Sequence, residues 1–379
     1  MTLDADPTFT IGIEEEYLLI DPETRDLARD PPVGILEECT KRIGARVTPE
    51  FMRSQIEVGT KVCNSIGEVT EDLRNLRRCI GDVARDHGLA MIAASTHPSA
   101  DWGMQMHTDK DRYNILARDM QAVARRLLIC GMHVHVGISD DNLRVDLMNQ
   151  VGYFLPHLLA LSTSSPFWRG RDTGLKSYRM AVWNEMPRTG LPPTVMSYGE
   201  YRRIVDMLVS AGVIEDATKI WWDVRPSDRF PTLELRMTDL CTRMEDTICI
   251  ASLYRCILRM LWRLRRNNQR WRIYDEVMVS ENRWRAQRYS FDEGLIDFGK
   301  GTIVPYPDLL EELLELVRED AEFFNCVAEI EHARDILGRG TSAHKQIAVW
   351  EEARRAGGTD AEALRKVVDM LVEETAHGL

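Results

Sequence analysis

The sequence predicts an α+β fold: a curved, mostly antiparallel sheet with one polar face, helices packed on its other face, and a helical carboxy-terminal part. Three observations lead there. Four segments before about residue 240 alternate apolar and polar side chains with a period of two. Between them run stretches whose apolar residues recur every three or four positions. From about Cys241 onward the helical pattern takes over almost entirely.

Bulk properties narrow the setting. The chain has 379 residues, 44% hydrophobic and 28% charged, enough for a substantial core. It carries no internal repeat, low-complexity stretch or Ser/Gly linker, so a single unit over 1–379 is expected, sheet-containing to about 240 and helical beyond. A net charge of −12 disfavours a nucleic-acid partner, because phosphate binding needs a basic face. No uncharged apolar run reaches the roughly 18 residues of a membrane span. The acidic start, Met1 to Asp6, lacks the parts of a secretion signal, and a cytoplasmic protein with no membrane partner is expected. Eight cysteines occur singly, without C-x-x-C or zinc spacing, and read as reduced, packed thiols.

In chain order, the first strand candidate is segment 9–18. Alternation puts Glu14 and Glu16 on one face, about 7 Å apart, and turns Ile11, Ile13, Tyr17 and Glu15 to the other. Glu15 on the apolar side is expected to be structural or paired. Segment 55–60 sets Glu57 opposite in sense to Ile56 and Val58. A helix follows, with Val69, Leu73, Leu76, Ile80 and Val83 as its stripe and Ser65-x-x-Glu68 as a capping box. Further helices are expected over about 110–128, 141–161, 200–209, 244–265 and 307–337.

The third strand candidate, 129–138, places His133 and His135 on one face between Gly131 and Gly137, whose missing side chains leave room for a bulky ligand. The fourth, 232–237, aligns Glu234 with Arg236, and the alternation of 221–225 adds Arg225. Taken singly, these are a solvated edge strand, two satisfied histidines and a surface ion pair. Jointly, Glu14, Glu16, Glu57, His135 and Glu234 on one polar face supply the oxygen-rich ligands of Mg²⁺ or Mn²⁺. The arginines then suggest an anionic substrate.

These residues sit in stretches that match a known family in order along most of the chain: TIGIEEEYLLIDPET from Thr10, QIEVGT from Gln55, GMHVHVGI from Gly131, LPHLLALSTSSPFW from Leu155, DTGLKSYR from Asp172, PRTG from Pro187, WWDVRP from Trp221, TLELRMTD from Thr232 and NRWRAQR from Asn282. The chain resembles the YbdK-like carboxylate–amine ligases of the glutamate–cysteine ligase type 2 family, within the glutamine synthetase-like fold. The resemblance implies two or three Mg²⁺ (or Mn²⁺) ions on Glu14, Glu16, Glu57, His135 and Glu234. It implies ATP phosphates lined by His133 and His135, with Arg288 a weaker nucleotide contact, and substrate or phosphate contacts from Arg179, Arg225 and Arg236. Arg188 is a further weak carry-over, and Trp168 and Tyr178 shape the pocket or pack the core. Similar enzymes phosphorylate the side-chain carboxylate of glutamate and let an amine attack the acyl phosphate. A homo-oligomer, a dimer, working on small amino acid and amine substrates is implied.

Two other enzyme classes fit parts of the pattern. A metal-dependent amide hydrolase would use the H-x-H pair but needs further ligands in a repeating β/α pattern, which the helical second half lacks. An ATP:guanidino phosphotransferase on the same general fold would stop at phosphoryl transfer. Segment 294–301 nearly fits a phosphate-binding loop, but Gly301 stands where the hydroxyl residue belongs, so a plain loop is expected.

Overall fold

In the computed structural model, residues 6–379 are described; the amino-terminal segment read above for a secretion signal lies outside them except for Asp6. Seven strands form the main sheet: β1 (Ile11–Ile20), β2 (Val47–Pro49), β3 (Gln55–Gly59), β4 (Ala90–Ile92), β5 (Met132–Gly137), β6 (Val224–Pro226) and β7 (Thr232–Leu235). Their order is β6-β7-β5-β1-β3-β2, and β4 takes the remaining stretch of β1 beside β5. Every pairing is antiparallel.

The apolar face is built from alternate positions: Ile11, Ile13 and Tyr17 of β1, Ile56 and Val58 of β3, Val134 and Val136 of β5, Leu233 and Leu235 of β7, all buried. Two long helices cover it, α1 (Ile66–Asp86) and α2 (Met244–Arg266). The expected stripe of α1 is buried throughout, from Val69 to Val83. Its cap is half as expected: Ser65 Oγ accepts from the Glu68 N–H at 3.2 Å, but Glu68 reaches back to the Asn64 N–H at 2.8 Å instead of that of Ser65. One hydrophobic cluster extends from Phe9 to Leu371, joining both halves of the chain.

Several expected helices are interrupted where the backbone says so. The 110–128 helix is two, Asp111–Met120 and Ala122–Arg125, parted by Gln121 at φ 49°. The 141–161 helix is Asp141–Val151, a 3₁₀ turn at Gly152–Phe154, and Leu155–Ser162, with Pro156 withholding a backbone donor at the join. The 307–337 helix is four short ones between Tyr306 and Arg339, one ending at left-handed Asn325. Segment 294–301 is not a plain loop but contributes the strand Leu295–Asp297 of a hairpin with Thr302–Val304. The helix Val33–Ile43 and the short strands β2 and β4 were not expected. All eight cysteines are free, and seven of them are buried. Among the described residues no helix is long and apolar enough to cross a membrane.

Candidate metal and anion site

Strand register assembles the polar face row by row. Gly12 of β1 stands opposite His135 of β5, and His135 stands opposite Glu234 of β7, which pairs with Arg225 of β6. One step along, Glu14 is flanked by His133 on one side and Gly59 on the other. A further step brings Glu16 opposite Glu57, itself opposite Thr48. Side chains in register on one face of a sheet lie within about 4.5–5.5 Å at Cβ, so ladder pairing alone gathers acids from three distant segments.

The donor atoms fall into three overlapping groups, each with its members within 4.8 Å of one another: Glu14, His135 and Glu234; Glu14, Glu57 and His133; and Glu16, Glu50 and Glu57. Glu14 belongs to two of them and so does Glu57. The Glu14 carboxylate lies 3.2 Å from His133 Nδ1 and 3.4 Å from His135 Nε2. Thr232 fixes the other side of His135, with its Oγ1 2.9 Å from Nδ1. Glu16 Oε2 accepts the Gly131 N–H at 2.8 Å.

Guanidinium groups border these carboxylates. Arg225 donates through Nε to Glu234 at 3.0 Å and through Nη1 to the Ile220 and Thr218 carbonyls, and Arg236 pairs with the other oxygen of Glu234. Arg179 is buried and donates to the carbonyls of Arg236 and Met237. Among the described residues, the buried Nε atoms of Arg179 and Arg236 have no partner. Such unpaired donors are costly unless an anion meets them.

Electrostatics separates the carboxylates into two kinds. Burial works against the Glu14 carboxylate, but hydrogen bonds from His133 and His135 outweigh it and hold its pKa well below the usual range. Burial also opposes ionisation of Glu234, and Arg236 and Arg225 overcome it, lowering the pKa. At the other end burial, then the charge of Glu50, pushes Glu16 up to about 8. Burial together with Glu50, Glu14 and Glu16 raises Glu57 well above a normal carboxylate. Burial and then Arg236 lower His133 to about 4, so its ring is neutral at pH 7.

The profile of glutamate–cysteine ligase family 2 (GCS2) matches residues 10–370. The chain belongs to this family. A relative from Rhodospirillum rubrum named "Putative glutamate--cysteine ligase 2" is 61% identical over 378 residues, 99% of this chain and 97% of its own. A protein of the same name from Jannaschia sp. is 55% identical over 370 residues, covering 98% of this chain and 97% of its own. Among solved structures, the glutamate–cysteine ligase of Francisella tularensis in complex with AMP superposes with a TM-score of 0.67 at 15% identity, over 97% of this chain and 89% of that one. A bifunctional glutathione synthetase from Pasteurella multocida gives 0.68 at 14%, over 97% of this chain and 52% of that one. The fold is the glutamine synthetase-like α+β arrangement, and this GCS2 member is a C–N bond-forming carboxylate–amine ligase.

In this GCS2 chain the expected acids, both histidines, Arg225 and Arg236 come together on one face, and Arg179 reaches it from the helix Tyr178–Trp183. Glu50 joins them unannounced, from the residue after β2. Arg288 stands apart: half-buried, 4.9 Å from the Tyr289 ring, it has no hydrogen bond or ion pair to these groups among the described residues. Arg188 donates to the Lys219 carbonyl and lies over Trp221, while Trp168 packs against Tyr178 at 5.4 Å. The glycine reading needs correction. A Cβ on Gly131 would meet Arg179 Nη2 at 2.5 Å, and one on Gly137 would strike Thr10, so those spaces hold this chain's own side chains. At Gly12 and Gly59 an added Cβ would fit, making only ordinary contacts with Thr60 Oγ1 at 3.7 Å and Glu14 Cγ at 3.8 Å.

Proposed function

We propose that this protein uses ATP and divalent cations to activate a carboxylate, the γ-carboxylate of glutamate, as an acyl phosphate, and then joins the acyl group to an amine such as cysteine. The observation that carries this reading is the fusion of three carboxylate groups through Glu14 and Glu57, bordered by buried guanidinium groups with free donors. The donor set is carboxylate oxygen with occasional imidazole, which suits Mg²⁺ or Mn²⁺. The fit is also electrostatic: Glu16 and Glu57 have raised pKa values, first because they are buried and then because neighbouring carboxylates crowd them, and a bound cation would relieve both.

Two or three ions would be held by Glu14, His135 and Glu234, by Glu14 and Glu57 near His133, and by Glu16, Glu50 and Glu57. When bound, such ions neutralise phosphate charge and align the transferring group. The chain's own residues do the rest. His133 and His135 line the phosphates, with His133 neutral at pH 7. Arg179 and Arg236 offer their free Nε–H donors to the acid or the transferred phosphoryl group. Arg225 keeps Glu234 ionised and oriented. In the first step a carboxylate oxygen of the acid bonds to the terminal phosphorus and ADP leaves. In the second the amine nitrogen bonds to the acyl carbon, phosphate departs, and the amine gives up a proton. Positioning and preorganised charge supply the rate. One catalytic unit over 1–379, acting as a cytoplasmic homodimer, completes the reading.

Hydroxylamine tests it. With glutamate, Mg²⁺ and ATP, glutamyl hydroxamate and ADP should form together, and chelation should abolish both. A folded protein that binds Mg·ATP yet gives no hydroxamate with any acid of a broad panel overturns the ligase chemistry. A phosphoguanidine product would assign a guanidino phosphotransferase instead.

A further inference from the structure

At the His135 end of the polar face stands an aromatic ring that the ligase chemistry above does not use. Phe230 lies in the turn between β6 and β7, a turn closed by Ser227 N–H to the Thr232 carbonyl at 3.0 Å and Thr232 N–H to the Phe230 carbonyl at 2.7 Å. It precedes Thr232 by two residues, and Thr232 is the residue whose hydroxyl meets His135 Nδ1. The Phe230 ring sits 6.1 Å from the His135 ring at an interplanar angle of 90°, so neither ring covers the other. Phe230 is 53% exposed, whereas the nearby Glu234, Arg225 and Arg236 are buried. Across the ladder from His135 is Gly12, with no side chain, where an added Cβ would make only an ordinary contact with Thr60 Oγ1 at 3.7 Å.

The two ends of the site differ in chemistry. Arg179 reaches in beside Gly131, four residues from His135 and therefore about 13 Å away along β5 at about 3.3 Å per residue. That end presents guanidinium charge to an acid. The middle, with Glu234 opposite His135 and Glu14 beside His133, suits cations and phosphates. Beyond that row, the far end offers the flat, exposed apolar surface of Phe230, which matches neither the acid nor the phosphates. It does match a purine, whose π-face stacks on aromatic rings and whose edge is polar.

We propose that Phe230 is the platform on which the purine base of the nucleotide stacks, with the phosphates directed from there toward Glu14 and the acid at the Arg179 end. This rests on the ATP-dependent reading above. The test compares binding of Mg·ATP and of inorganic magnesium triphosphate to wild-type protein, Phe230→Ala and Phe230→Trp. Because the ring is largely exposed, the alanine variant should stay folded. Phe230→Ala should bind Mg·ATP about 5- to 100-fold more weakly, bind triphosphate as wild type does, and recover ATP affinity in Phe230→Trp. Equal loss of ATP and triphosphate would mean that Phe230 only orients His135, and unchanged ATP affinity with an altered KM for the amine would make it an amine contact. Either result overturns the platform while leaving ATP use intact. A folded wild-type protein that binds no nucleotide removes the ATP-dependent reading and the platform with it.

Discussion

Arg77 holds Glu15 with two hydrogen bonds, Nη2 to Oε1 at 2.7 Å and Nε to Oε2 at 2.8 Å, on the side of the sheet facing away from the acidic groups. Tyr17 Oη and Thr247 Oγ1 complete the shell at 2.5 and 2.7 Å, and Arg77 donates onward to the Cys241 and Thr242 carbonyls. One carboxylate thus ties β1 to α1 and α2 through a bidentate pair with no solvent access.

Arg77→Met should therefore destabilise by about 3–5 kcal/mol, because it strands a buried carboxylate without its partner. Chemical denaturation would show this as a lowered midpoint, partly restored in Arg77→Met/Glu15→Gln. Per folded molecule, Glu15→Gln should keep far more activity than Glu14→Gln. Equal inactivation would place Glu15 on the wrong face.

Glu14 and Glu57 each serve two of the three donor groups, whereas Glu50 serves one. Glu14→Gln and Glu57→Gln should each weaken more than one Mn²⁺ site in a metal titration, and Glu50→Gln a single site. Turnover of Glu14→Gln should fall at least about 100-fold, the loss expected when several kcal/mol of charge stabilisation disappear. Three independent sites of unchanged affinity in Glu14→Gln would refute the shared-ligand arrangement.

The acids of β1, β3 and β7 were legible in the sequence because period two fixes which side chains share a face, and burial in β1 alternates accordingly from Ile11 to Glu16 before the strand becomes buried on both faces. Glu15 was legible for the same reason. Glu50 was not: β2 has only three residues, Val47 to Pro49, too few to display a period, and its place beside β3 depends on a register that no local pattern encodes. Gly131 and Gly137 misled because a glycine in a strand signals close approach without saying what approaches. The breaks at Gln121 and Asn325 were hidden because a non-glycine residue with positive φ leaves little trace in composition.

Metal-free protein should lose stability as the pH rises from 6.5 to 8. Glu16, raised to about 8, holds its proton in the folded state across a range where the unfolded chain has released it. Folding is then linked to proton uptake, so stability declines toward pH 8. Glu57 and His135, also raised, act with the same sign. His133, lowered to about 4, acts oppositely, but only between about 4 and its ordinary value near 6.5, below this window. Thermal unfolding in chelator should show a falling midpoint from pH 6.5 to 8, and Glu16→Gln or saturating Mn²⁺ should flatten it. A midpoint that rises with pH in chelator would contradict the crowding of charge described here.

Gly131 and Gly59 offer opposed predictions from one face of one sheet. Gly131 pairs its N–H with Glu16 and leaves space filled by Arg179, whose Nη2 would lie 2.5 Å and Cζ 3.2 Å from an added Cβ. Arg179 is itself held by the Arg236 and Met237 carbonyls at 3.2 and 3.4 Å, so it has no slack to move without giving these up. Gly131→Ala should cost about 1–3 kcal/mol of stability as an overpacked position. It should also swing the guanidinium away from its mapped place, raising KM for the acid more than KM for ATP. At Gly59 the nearest atom to an added Cβ is Glu14 Cγ at 3.8 Å, an ordinary contact. Alanine relieves the backbone entropy that glycine loses in a strand, so Gly59→Ala should be as stable as wild type or more stable by up to about 1 kcal/mol. Denaturation midpoints and the two KM values measured on the same preparations decide the matter: a Gly131→Ala enzyme with wild-type KM for the acid would show that Arg179 does not act at the position assigned to it.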